Sequence, residues 1–222
     1  MFMKKKIGCL HAHYSNVEYI EKAFSKFEID WLHFVDPGLM HRMASDQTFT
    51  FSDAQKRVKD QVEWIAASKV DVILITCTNY IALLNEKQLS LSTPIIKIDE
   101  PYFEQICQLQ QPQVMLFTNP ATVEGTVKRL HEYARNHGGV DVEIIIIDHA
   151  FELIMQGLSD KYNQEIMNCL QQLTNEKRPI SVAQLSMVNA AMSYEHQTGN
   201  VIVNPLQALV DFMASRLELS VS

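Results

Sequence analysis

Val72-Ile73-Leu74-Ile75-Thr76-Cys77-Thr78-Asn79 is the stretch on which the fold turns. Its first four residues are apolar without alternation, and three of them are β-branched. Such a run suits a strand covered on both faces, as in a parallel sheet, better than a strand with one wet side. The polar quartet after it ends the strand and places Cys77 at the turn into a helix. The first backbone N–H groups of a helix lack intrahelical partners, and its positive end lowers a thiol pKa and attracts a carboxylate. Thr78 and Asn79 add a hydroxyl and an amide beside the thiol.

The same grammar recurs on both sides of this stretch. Short β-rich runs lie at Lys6 to Leu10, Trp31 to Val35, Asp71 to Thr76, Ile95 to Ile98, Val114 to Thr118, Val142 to Ile147, Ser181 to Leu185 and Val201 to Val203. Helical patterns fill the gaps between them. Val17 to Phe27 has Ser15 and Asn16 as capping candidates, and Ser52-Asp53 opens a helix that runs through Ser68. Asn119-Pro120 opens another that ends near Gly138-Gly139, and Asn204-Pro205 opens the last. Asp36 to Phe51 reads as a long binding or lid segment, or as a short extra helix over Gly38 to Ala44. Strand and helix in alternation predict an α/β fold with parallel sheets.

Strand starts near 6, 31, 71 and 95 are repeated near 114, 142, 181 and 201, an offset of about 109. This predicts two pseudo-symmetric lobes, each a four-stranded parallel sheet flanked by helices, in preference to one eight-stranded sheet. The first lobe takes residues 1–100 plus 205–222 and carries the Cys77 loop; the second takes 101–204. Ligands of parallel α/β sheets bind beyond the carboxyl ends of the strands, so the expected site is the cleft between the lobes. The residue 109 positions beyond Cys77 is Ser186, in Ala183-Gln184-Leu185-Ser186-Met187. A thiol on one side therefore answers a hydroxyl on the other.

Composition excludes several classes. The chain has 222 residues and a net charge of −7, which argues against nucleic-acid binding through phosphate contacts. No apolar stretch approaches the length of a membrane span, and the start, from Met1 to Lys6, is a basic tip too short-cored for a signal peptide. Four cysteines do not make a disulfide scaffold here, and a cytoplasmic protein is expected. No Cys-x-x-Cys spacing occurs, so no metal is expected, and no Gly-x-Gly-x-x-Gly follows a strand. Cys9, Cys107 and Cys169 read as core residues. His11, at the end of the first strand, reads either as a hydrogen-bonding or proton-shuttling group or as a surface histidine.

Taken together, the Cys77 stretch, Thr118-Asn119-Pro120-Ala121-Thr122, Ala183-Gln184-Leu185-Ser186-Met187 and Asn204-Pro205 resemble the aspartate/glutamate racemase superfamily, with its hydantoin racemases, maleate isomerases and arylmalonate decarboxylases. Val35-Asp36-Pro37-Gly38-Leu39 resembles uncharacterised members. The resemblance implies a cofactor-independent isomerase that moves a proton at the carbon next to a carboxylate of a small acid, and a homodimer. It implies Cys77 and Ser186 as the catalytic pair. His11, Thr78, Asn79, Thr118, Asn119, Thr122, Gln184 and Met187 would bind substrate. Two departures stand out: the first motif reads Cys-Thr-Asn where amino-acid racemases carry Cys-Asn-Thr, and Ser186 replaces the second cysteine. A serine without a base exchanges protons poorly, so one-thiol chemistry (decarboxylation, lyase-type cleavage) and a non-catalytic carboxylate-binding protein are the alternatives.

Overall fold

The computed structural model describes residues 4–173 and 177–221; the first three residues of the predicted basic tip lie outside them. The chain divides into two compact units, Met1–Asp99 with Val210–Ser222 and Glu100–Leu209.

The first unit is built from β1 (Lys5–His11), α1 (Ser15–Ala23), β2 (Ile29–Val35), α2 (Gly38–Ser45), α3 (Phe51–Ala67), β3 (Val72–Ile75), α4 (Thr78–Leu83) and β4 (Ile95–Lys97). Helix α5 (Asp99–Gln108) leads into the second unit, which continues with β5 (Gln113–Phe117), α6 (Val123–Ala134), β6 (Val142–Ile146), α7 (Ala150–Met155), α8 (Ser159–Leu173), β7 (Ile180–Val182), α9 (Val188–Thr198) and β8 (Ile202–Val203). Helix α10 (Pro205–Arg216) returns the chain to the first unit, where a bridge between Phe27 and Val221 pins its end.

Each unit holds one four-stranded, all-parallel sheet. The strand orders are β2-β1-β3-β4 and β6-β5-β7-β8, the same order twice. Strands β1 and β5 begin at Lys5 and Gln113, and β3 and β7 at Val72 and Ile180, each pair 108 residues apart. The continuous apolar run of β3 is buried along its whole length, as expected of a central parallel strand. In the second unit Leu116, Ile166, Leu170 and Val182 fill one face of the sheet, and Phe103, Met115, Phe117 and Leu130 fill the other.

Gly8 in β1 lies against α3, and a Cβ there would overlap Ile65 and press on Val70. The helix approaches the sheet closely because that side chain is missing.

Local details differ from the sequence expectation where a polar side chain found a better partner. Ser15 and Asn16 lie inside α1, whose N-cap position is Tyr14, with no side-chain cap. Helix α3 starts one residue earlier than expected, because Thr50 and Asp53 form a capping box. Strand β7 stops at Val182, and Leu185–Met187 turns into a 3-10 helix instead of prolonging the strand. The short-helix reading of the Asp36–Phe51 segment holds, as α2.

Candidate active site

In a sheet ordered 2-1-3-4 the connections from the two central strands leave in opposite directions, and the crevice at their carboxyl ends is where such folds bind ligands. In the first unit those ends carry His11, from β1, and Thr76-Cys77, from β3. In the second they carry Thr118-Asn119, from β5, and Gln184 to Met187, from β7.

The second unit joins its predicted residues into one hydrogen-bonded cluster. Gln184 Oε1 accepts from the backbone N–H of Thr118 at 2.8 Å and of Asn119 at 3.1 Å, and from Thr118 Oγ1 at 2.8 Å. Two backbone donors fix which end of the amide is oxygen, since a flipped amide would set NH2 against N–H. Gln184 Nε2 donates to Thr122 Oγ1 at 2.9 Å, and that hydroxyl donates to Asn119 O at 2.9 Å. The Asn119 side chain accepts from Ala121 N at 3.0 Å and holds the turn.

A directional chain of hydroxyls extends from this cluster. Thr118 spends its proton on Gln184, so the Tyr162 hydroxyl, 2.9 Å away, donates to Thr118 Oγ1. The Tyr162 proton is then used, so Ser186 Oγ, at 2.7 Å, donates to Tyr162. Ser186 thus turns its proton inward and presents lone pairs. The chain ends at a carboxamide oxygen, which takes up no proton near neutral pH, so this chain of hydroxyls relays none from Ser186. Met187 differs from its expected role: its side chain is fully buried in the core and its N–H is bonded to Gln184 O.

In the first unit Cys77 is the N-cap of α4 and is only half-buried. The backbone N–H groups of Tyr80 and Asn79 bear on the thiol's pKa, but its side chain makes no capping hydrogen bond in α4. Burial raises the thiol pKa, the two N–H groups oppose that, and the Asp99 carboxylate adds to the rise. The net shift is upward, so the resting group is a thiol. Thr78 beside it is half-buried and Asn79 is exposed. The Tyr80 hydroxyl donates to Asp36 O at 2.6 Å, while the Asp36 carboxylate receives Arg57 at 2.9 Å and Gln61 at 2.5 Å. The Asp36 loop thereby braces the Cys77 helix against α3.

His11 is fully buried, not a surface residue. Its Nδ1 lies 2.8 Å from Thr76 Oγ1, the residue before Cys77, and its Nε2 lies 2.8 Å from His33 Nδ1 on β2. Burial first, and the neighbouring His33 second, push the His11 pKa down to about 3, so the ring is neutral. Asn16 Nδ2 also reaches Thr76 Oγ1, at 3.3 Å. His13 points away: it is exposed and bonds Ser15 at 2.8 Å.

No family model matches the chain, and no curated protein matches it in sequence. Solved structures do. The aspartate racemase of Picrophilus torridus superposes with a TM-score of 0.71 at 13% identity, covering 98% of this chain and 96% of that one. The chain has the racemase fold. Glutamate racemase from Francisella tularensis, solved with D-glutamate, gives 0.64 at 15% identity over 97% of this chain and 81% of its own. Allantoin racemase from Pseudomonas fluorescens gives 0.58 at 16% identity, over 98% and 93%. The racemase fold accounts for the two parallel sheets and their common strand order. Among the described residues no helix is long and apolar enough to cross a membrane.

Tyr162 and His33 escaped the sequence reading. Tyr162 reaches the cluster from α8, 24 residues before Ser186 and 44 after Thr118. His33 enters through strand pairing with Cys9. Neither carries a local motif; a tyrosine on an apolar helix face and a histidine in a half-buried strand read as packing.

Proposed function

We propose that the protein is a cofactor-independent isomerase-type enzyme that moves a proton at the carbon next to a carboxylate of a small acid, with Cys77 as the proton-transfer group. The observation that carries this reading is a single thiol at the switch point of a racemase fold, at the first turn of α4, a helix braced through Tyr80 and Asp36. When Cys77 acts as a base, its thiolate takes the proton from the carbon, and the electron pair left behind spreads into the carboxylate as an enolate-like state. After the enolate-like intermediate turns in the site, the thiol returns the proton to the other face of that carbon, which completes the isomerisation. The Asn79 and Tyr80 N–H groups stabilise the thiolate during the interval. Thr78, beside the thiol and half-buried, is the hydroxyl assigned to a substrate oxygen.

One-sided chemistry fits Ser186 better than two-base racemisation. Its proton is tied to Tyr162, so it has none ready for a carbon. The raised pKa of Cys77 also favours a second reading, a decarboxylase-type reaction. There the substrate loses CO2, the bonding pair stays on carbon, and the resting thiol donates the proton that completes the product. The two readings share Cys77 and part on product.

The test is a panel of amino acids, hydroxy acids, malonates and maleate incubated with the protein and followed by NMR and chiral chromatography, with Cys77→Ala in parallel. Conversion of any member that stops in Cys77→Ala supports the proposal. Conversion that survives this change refutes it, and binding without conversion supports the non-catalytic alternative.

A further inference from the structure

The first unit carries a second cluster with its own chemistry. Cys9 and His11 lie two residues apart on β1 and so share a face of the sheet, and His33 on β2 is the register partner of Cys9. One ligating atom from each of Cys9, His11 and His33 lies within 4.8 Å of the other two. Cys9 and His11 are fully buried.

A hydrogen bond behind the His11 ring and a carboxylate near the His33 ring bear on where their lone pairs point. Thr76 Oγ1 donates to Leu10 O at 3.3 Å, so it accepts from His11 Nδ1, which therefore carries the proton. On the other ring His33 Nε2, a buried atom without a hydrogen bond, faces the Glu21 carboxylate at 3.5 Å. The two remaining nitrogens, His11 Nε2 and His33 Nδ1, face each other at 2.8 Å, the length of one N–H···N bond when His33 Nδ1 carries the proton. When that proton sits instead on His33 Nε2, facing Glu21, both lone pairs are free to bind one cation. A hydroxyl behind one imidazole and a carboxylate behind the other is the arrangement that orients histidines toward a metal.

We propose that Cys9 Sγ, His11 Nε2 and His33 Nδ1 form a binding site for a divalent cation of the zinc and cobalt class, with Thr76 and Glu21 as the orienting groups. One thiolate and two imidazoles make a borderline-soft donor set that suits these ions over magnesium or calcium. Binding takes the Cys9 thiol to the thiolate and releases one proton; both rings bind in the neutral form. The two nitrogens open to roughly 3.3 Å, the tetrahedral edge for two metal–nitrogen bonds, which moves each ring by a few tenths of an ångström. Glu21, whose side chain is 57% exposed, marks the solvent side from which the ion enters. The ion would tie together the carboxyl ends of β1 and β2 and, through Thr76, that of β3. This proposal stands apart from the assignment of Cys77, because its readout is metal binding and not turnover.

The experiment adds one equivalent of Co2+ to the chelator-treated full-length protein and records the absorption spectrum, followed by displacement with Zn2+. A thiolate-to-cobalt charge-transfer band with tetrahedral visible bands is expected, unchanged in Cys77→Ala and absent in Cys9→Ser. His33→Gln is expected to weaken binding by at least about 100-fold, and Glu21→Gln by about 10- to 100-fold. Glu21 is exposed, so its variant keeps the test decisive if Cys9→Ser does not fold. A folded wild-type protein with no such band overturns the proposal. So does a band that survives Cys9→Ser, one lost in Cys77→Ala, or an affinity unchanged in Glu21→Gln.

Discussion

Tyr162→Phe removes a single oxygen from the middle of the hydroxyl chain in the second unit. The ring is 1% exposed and keeps its packing against the core, so no cavity term enters. Two hydrogen bonds disappear, from Ser186 and to Thr118. The losses are unequal. Ser186 is half-buried and can turn its hydroxyl to water, whereas Thr118 is 2% exposed and keeps an unpaired lone pair. An unsatisfied buried acceptor costs about 1–3 kcal/mol and a replaced neutral bond about 0.5–1 kcal/mol, so the expected loss is about 2 kcal/mol. For a chain of this size that is roughly 4–8 °C in Tm. The assay is urea denaturation of the wild type, Tyr162→Phe, Ser186→Ala and the double variant. The two single changes share one bond, so the double variant is expected to fall about 0.5–1 kcal/mol short of additivity. A loss under about 0.5 kcal/mol for Tyr162→Phe, or strict additivity, would refute the hydroxyl chain and with it the inward-turned proton of Ser186.

Three further outcomes rest on the same geometry. Gln184→Leu strands the N–H groups of Thr118 and Asn119 and is expected to cost about 2–4 kcal/mol by denaturation, while Gln184→Glu keeps an acceptor for them and costs less. Gly8→Ala drives a methyl group into Ile65 and is expected to cost about 1–3 kcal/mol; a neutral effect would mean that α3 yields easily. The raised Cys77 pKa makes iodoacetamide alkylation at pH 7 slower than that of a free thiol, rising with pH past 9. The sign comes from the native state holding this proton more tightly than the unfolded chain: its stabilising contribution is full below the unfolded pKa and is lost as pH rises through the folded one. Fast alkylation at pH 7 would contradict it.

Residues whose role is local were legible in the chain. Val72 to Ile75 announced a buried parallel strand, and Cys77 at its end was a visible candidate, because strand burial and helix starts are written in consecutive residues. The offset near 109 foretold the repeated strand order for the same reason. Roles created by tertiary pairing were not legible. His33 sits next to Cys9 only because β2 pairs with β1 in one register. Tyr162 meets Ser186 only because α8 packs against α9, which follows the Leu185–Met187 turn. Leu185 prolonged the apolar pattern of β7 on paper, yet the demand of two backbone N–H groups for the Gln184 oxygen goes with a chain that turns before it. His11 read either as a hydrogen-bonding or proton-shuttling group or as a surface histidine, and only the strand ends that bury it, with Thr76 and His33 as partners, rule out the surface reading.

The central claim is that Cys77 moves a proton at a carbon next to a carboxylate, and solvent deuterium exchange tests it most directly. Each small acid that the wild type binds is incubated in deuterium oxide and its mass followed over time, beside Cys77→Ala and Cys77→Ser. The account predicts incorporation of one deuterium at that carbon, in the recovered acid or in its product, with the rate lost in both variants while binding persists. Exchange that continues in Cys77→Ala, or a wild type that binds such acids and exchanges none, contradicts it.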